Sequence, residues 1–94
     1  ILMYNLAYSL ERTGNIPGAE ATYRKILKID PFNQIAQYNL GMLFLKTGKY
    51  NESLKMFLKL KKENPGNTLY AYNVSSVYLR MGNLDKAREK LIEI

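Results

Sequence analysis

The sequence predicts an all-α protein built as a solenoid of stacked helix–turn–helix units, and three observations carry that expectation. Glycines stand at Gly14, Gly48 and Gly82, at a constant interval of 34 residues. The same interval joins Asn5 to Asn39 and Asn73, and Pro31 to Pro65. Core-type positions run in phase with them: Leu6, Leu40 and Val74 share one column, and Ala19, Ser53 and Ala87 another. A fixed period of this size marks units that bury their apolar faces by stacking on one another. Such an array offers a long surface and no enclosed pocket, so binding is expected before catalysis.

The predicted helices span residues 1–13, 17–29, 34–47, 51–63, 68–81 and 85–94. The first begins inside a helical pattern at Ile1 and ends at Gly14. Pro17 opens the second at the N1 position, where its missing N–H has no helical partner to lose. In the third, apolar residues recur at helical spacing from Ile35 to Leu45. Gly48 stops it, because a residue without Cβ adopts the left-handed C′ conformation cheaply. Asn51 is a suitable N-cap for the fourth, which runs to Glu63. Pro65 cannot continue that helix, and Pro65-Gly66-Asn67 links it to the fifth. Gly82 ends the fifth, and Asp85 follows at the start of the sixth. Links this short lay consecutive helices antiparallel. The units are residues 1–33, 34–67 and 68–94, the last incomplete, and together they read as one segment of a longer protein.

Composition narrows the function. The 94 residues are 47% apolar, enough for a modest core. Cysteine and histidine are both absent. That removes disulfides, Cys- or His-ligated zinc, and histidine-based nucleophilic or acid–base chemistry within this chain. The eight carboxylates are scattered over the units without the pairing that hydrolytic sites need. No enzyme, metal or cofactor is expected. A net charge of +6 favours acidic partners in a general way without choosing among them. No apolar run is long enough to cross a bilayer and no leader-like stretch is present, which leaves the compartment open and slightly favours an intracellular one.

Small residues fall where paired helices should approach: Ala7, Gly41 and Ser75 in the first helices, Ala19, Ser53 and Ala87 in the second. Large ones flank them, namely Leu10, Phe44 and Tyr78 before the turn and Tyr23, Phe57 and Leu91 after it. The alternation is a packing device. In this arrangement the chain resembles the tetratricopeptide repeat family. Leu40-Gly41, Phe44, Gly48, Tyr50, Ser53, Phe57 and Pro65 carry the resemblance most closely. Leu6-Ala7, Leu10, Gly14, Ala19, Tyr23 and Pro31 repeat it, and Val74-Ser75, Tyr78, Gly82, Ala87 and Leu91 give a third copy. Gln37 and Ala71 depart from the large aromatic that the family favours there, which suggests looser packing of those helices on their predecessors. The resemblance implies a right-handed α-solenoid whose first helices line a concave wall.

On that wall the middle unit presents Ile35, Tyr38, Met42 and Leu45 as an apolar stripe. The first unit adds Tyr4 and Tyr8 with Glu11, the third Leu69, Tyr72, Ser76 and Leu79. Arg12, Lys46 and Arg80 follow along one edge. The tyrosines could instead pack between adjacent first helices, whereas Met42 and Leu45 are expected to be wet and available to a partner. Asn5, Asn39 and Asn73 supply amides able to pair with a peptide backbone. Some family members use such an asparagine ladder, and the bland alternative is a local bond. The family's clamp for a C-terminal carboxylate does not fit: its places hold Tyr4, Tyr8, Asn39, Leu69 and Asn73, and only Asn39 matches.

The second helices carry most of the positive charge, with Lys55, Lys59 and Lys62 on one outward face. A solvated convex surface explains them, and no aromatic residue interleaves as a single-strand platform would need. The function expected is therefore non-catalytic protein–protein interaction, with a peptide in the concave groove. An architectural segment of a longer superhelix is the alternative, and docking of nucleic acid or membrane on the basic face is the weaker one. Leu91, Ile92 and Ile94 close the chain without a covering helix, so self-association through the ends is also expected.

Overall fold

The computed structural model describes residues 2–83 and 86, with the main chain alone at Leu2 and Tyr4. The described residues form helices and no strand: α1 (Leu2–Arg12), α2 (Ile16–Ile29), α3 (Gln34–Lys46), α4 (Tyr50–Glu63) and α5 (Thr68–Arg80). These agree with the first five predicted helices to within one residue at each end. The sixth, over 85–94, lies outside the described residues, and with it Ala87, Leu91, Ile92 and Ile94.

The three turns that set the period are built alike. Gly48 has φ +80°, a left-handed conformation that side chains resist. The amide of the following residue reaches back to close the helix end. Lys49 N donates to Phe44 O at 2.8 Å, as Asn15 N does to Leu10 O and, at 2.9 Å, Asn83 N to Tyr78 O. Carbonyls that the helix would leave orphaned are thereby paired. The hydroxyl of Thr47 adds a bond to Leu43 O at 2.9 Å.

Asparagines open most of the helices. Asn15 Oδ1 accepts from Gly18 N, Asn33 Oδ1 from Ala36 N and Asn67 Oδ1 from Leu69 N, at 3.0–3.1 Å. The expected cap at Asn51 is a correction. Helix α4 starts at Tyr50, so Lys49 occupies the N-cap position and makes no side-chain cap bond. The glycine turn is the cause: it is closed by Lys49 N, and the next residue is already helical. Pro17 likewise stands second in α2, after Ile16.

Two buried clusters follow from the columns. Ala7, Ala19, Tyr23, Leu40, Leu43 and Phe44 join the first unit to the second. Leu45, Phe57, Leu60, Tyr70, Val74 and Val77 join the second to the third. At the α3–α4 crossing a Cβ on Gly41 would stand 3.0 Å from the Phe57 ring and 3.2 Å from Met56 Cβ. Ser53 Oγ donates to Gly41 O at 2.8 Å across the same contact. Small size here is what lets the two backbones meet. Stacking completes the burial: Leu40 is 1% exposed where α2 covers it, whereas Leu6, its counterpart in α1, is 53% exposed.

Gln37 corrects a second expectation. Its side chain is 0% exposed, and Nε2 donates to Pro31 O at 2.7 Å. Ala71 is buried as well. The site is closed because an amide long enough to reach the preceding loop replaces the aromatic as a tie, at the cost of leaving Gln37 Oε1 buried without a partner.

Candidate binding groove

Along α3 the concave face carries a trough of two lobes. The first, about 390 Å³, is lined by Gln34, Ile35, Tyr38, Asn39, Leu69 and Tyr70. The second, about 430 Å³, is lined by Glu11, Tyr38, Asn39, Met42, Leu45, Lys46 and Arg80. Tyr38 and Asn39 belong to both. Helical spacing explains the gathering: positions 35, 38, 42 and 45 fall on one face of α3, and α1 and α5 supply the flanking walls.

The rings that build the first lobe are also its support. Tyr38 meets Phe57 edge-on with centroids 5.9 Å apart and lies tilted against Tyr70 at 6.4 Å. The Tyr70 hydroxyl donates to Gln34 Oε1 at 3.0 Å. Tyr38 thus packs between adjacent first helices and still shows an edge to the trough. Ile35 and Leu69 stay exposed on opposite walls.

In the second lobe Lys46 Nζ stands 3.3 Å from Glu11 Oε2, while the Tyr23 hydroxyl donates to Glu11 Oε1 at 3.4 Å. The basic edge is therefore not uniform. Arg12 is engaged elsewhere: it donates to the Tyr8 hydroxyl at 3.1 Å with its guanidinium 5.7 Å from that ring. Arg80 is exposed and makes no ion pair among the described residues. Leu45, expected to be wet, is only 9% exposed, because Phe57, Leu60, Tyr70 and Val77 pack around it and leave one edge in the lobe. Met42 keeps the open position.

The asparagine column is not uniform either. Asn5 is exposed, Asn39 is half-buried in the trough, and Asn73 is buried with Nδ2 unpartnered. Asn39 Nδ2 also donates to Ile35 O at 2.8 Å on its own helix. Tyr72 and Leu79 are exposed on α5 but line neither lobe, and neither do Tyr8 and Arg12. The Tyr4 side chain lies outside the described residues. Reasoning from sequence missed Gln34 and Tyr70, which stand 36 residues apart, so that their pairing across two repeats has no local signature.

On the opposite side, Lys59 Nζ stands 5.7 Å from the ring of exposed Phe32, so one aromatic does accompany the convex lysines. Glu20 ties α2 to the α3–α4 turn, 3.1 Å from both Arg24 Nε and Lys49 Nζ. Burial alone would raise the Glu20 carboxyl, but hydrogen bonds from Lys49 and Arg24 outweigh it and hold the group below its ordinary 4.5. Both cations also face the Phe44 ring, at 5.4 and 5.8 Å.

A family model described as tetratricopeptide repeat matches residues 10–75. No curated protein matches the sequence. Among solved structures, the chain is similar to an O-GlcNAc transferase from Thermobaculum terrenum, at 24% identity and TM-score 0.82, over 98% of this chain and 18% of that one. It is similar to MamA at 16% identity and TM-score 0.89, over 97% and 50%. It is similar to PcrH from Pseudomonas aeruginosa at 16% identity and TM-score 0.87, over 98% and 70%. PcrH is also solved in complex with the chaperone binding region of PopB, with TM-score 0.86. The chain thus spans a fifth to a half of the first two, and at these identities the likeness is one of fold.

Proposed function

The chain belongs to the tetratricopeptide repeat family, and on that footing we propose that it is a non-catalytic interaction module holding a peptide segment of a partner protein in the trough along α3. The observation that carries this reading is the trough itself, in which side chains from three first helices converge around Tyr38 and Asn39. Met42, Leu45 and Tyr38 offer apolar contact, and Asn39 stands where it can meet a peptide backbone. The complex of PcrH with a segment of PopB supports the reading by likeness of fold. That the chain lacks cysteine and histidine supports its non-catalytic half.

The test is selection of a random twelve-residue peptide library on the 94-residue chain, followed by calorimetric titration. Selected peptides should lose at least tenfold in affinity on Met42→Glu, which puts an unpaired charge in the lobe, and stay within threefold on Lys55→Glu. Equal sensitivity at the two positions, or no selected peptide, overturns the groove.

A further inference from the structure

We infer that the trough is built for an extended segment carrying an apolar residue and, about five residues from it, a carboxylate that pairs with Arg80. The inference rests on the peptide-binding reading above and names the chemistry of the segment. Its ground is the different character of the two lobes.

The first lobe has no charged wall. Ile35 and Leu69 face each other with exposed side chains, and the Tyr38 and Tyr70 rings form the floor between them. Among its polar side-chain groups, the Tyr70 hydroxyl and Gln34 Oε1 already bond each other. An apolar side chain seated between Ile35 and Leu69 loses water there without separating that pair.

The second lobe holds two cations and one anion. Glu11 has both carboxylate oxygens engaged, one by Lys46 and one by Tyr23, so the Glu11–Lys46 pair is close to neutral. Arg80 comes from another helix, is exposed, and has no ion pair among the described residues. The lobe therefore carries an uncompensated positive charge inside a chain of net charge +6. A guanidinium so placed takes a carboxylate by charge-assisted and often bidentate hydrogen bonds. Arg12, the counterpart in the first unit, lies outside the lobe and is engaged by Tyr8. The acidic preference belongs to one end of the trough.

Register follows from the helix. Ile35 and Lys46 are about 16 Å apart along α3 at 1.5 Å per residue, and an extended chain advances about 3.3 Å per residue. The apolar and acidic residues of the segment are thus about five positions apart.

The peptides selected on the 94-residue chain provide the test, read this time for pattern. They should share an apolar residue and an Asp or Glu four to six positions away. Selection on Arg80→Glu should keep the apolar residue and replace the acid by Lys or Arg. An acidic peptide from the first selection should lose at least tenfold in affinity for that variant, and rising salt should erase most of the difference. Arg80 is exposed, and an unchanged melting temperature verifies the fold of the variant. Peptides that remain sensitive to Met42→Glu but show no acid, or an acid indifferent to Arg80→Glu, overturn this inference and leave the groove standing. If no peptide depends on Met42, both fall.

Discussion

Two amides set the residue scale. Asn39 is half-buried in the trough and bonds to Ile35 O on its own helix, so removing it touches little of the core. Asn39→Ala is expected to weaken peptide binding roughly five- to a hundredfold, the equivalent of about 1–3 kcal/mol for a lost hydrogen bond and the partner group it orphans. Because the contact reads backbone, the loss should be similar for peptides of different sequence. Phe44→Ala is the control, since it opens a cavity in the first cluster and costs about 3–5 kcal/mol. Melting curves beside the titrations decide the matter: a drop for Asn39→Ala as large as that for Phe44→Ala makes the amide structural. Gln37 is the opposite case. Its buried Oε1 has no partner, a penalty of about 1–3 kcal/mol that exceeds the roughly 1 kcal/mol its bond to Pro31 O returns. Pro31 is exposed and water can replace that bond. Gln37→Leu should therefore raise the melting temperature by several degrees, and a fall in calorimetry would mean that the tie to the loop outweighs the orphan.

Elements meet through very small margins. An alanine at position 41 gains about 1 kcal/mol of helix propensity over glycine. Against that, its Cβ would stand 3.0 Å from the Phe57 ring, and Phe57 is fully buried and has no room to retreat. Overpacking of this kind costs about 1–3 kcal/mol, so Gly41→Ala should destabilise in denaturant titration, and stabilisation would show that α4 can slide. The link between α2 and the next turn is electrostatic. The Glu20 carboxyl titrates lower in the folded chain than in the unfolded one. Its contribution is therefore complete above the ordinary value of 4.5 and is lost as pH falls through the lower, folded value. The partners are half-exposed, so the effect is below about 1 kcal/mol. Acid unfolding of Glu20→Gln should be correspondingly flatter over that range; an identical profile would remove the cluster from the stability of the array. Helix extents were legible because glycine, proline and apolar spacing are local signals, and each end fell within a residue. The caps were not legible in that way: Asn15, Asn33 and Asn67 cap α2, α3 and α5 in the structure, whereas Asn51, the cap expected from sequence, lies inside α4 behind Lys49.

For the whole molecule, the period announced the architecture, because a repeat unit cannot bury its stripe except on a neighbour. The faces were harder to read. A stripe of Ile35, Tyr38, Met42 and Leu45 says which side of α3 is apolar, yet how wet each residue is depends on α5. Leu45 is 9% exposed beneath that helix, while Leu79, its counterpart one unit on, is 57% exposed. Charge also depends on neighbours: Lys46 is paired with Glu11 of the preceding unit, a contact that no local spacing announces. The convex lysines remain a matter of surface potential. Reversing Lys55, Lys59 and Lys62 together should leave affinity for a groove peptide within about threefold, since charges beyond a Debye length of about 8 Å are screened at physiological salt. A large loss, with binding to anionic vesicles or nucleic acid that fades steeply with salt, would move the functional surface to the other side.

The walls of the trough have a mechanical consequence. Helices α3 and α5 meet through Tyr38, Tyr70 and Gln34 near their N-terminal ends and through Leu45 and Val77 further along, with α4 packed behind both. The walls at Lys46 and Arg80 can therefore shift only by small tilts that slide packed side chains past one another, a change smaller than breaking either buried cluster. A segment anchored at both ends would act as a strut, fixing the angle between successive units. Curvature of any longer array containing them would then be set partly by its cargo, so that occupancy at one groove is felt as shape along the whole spring.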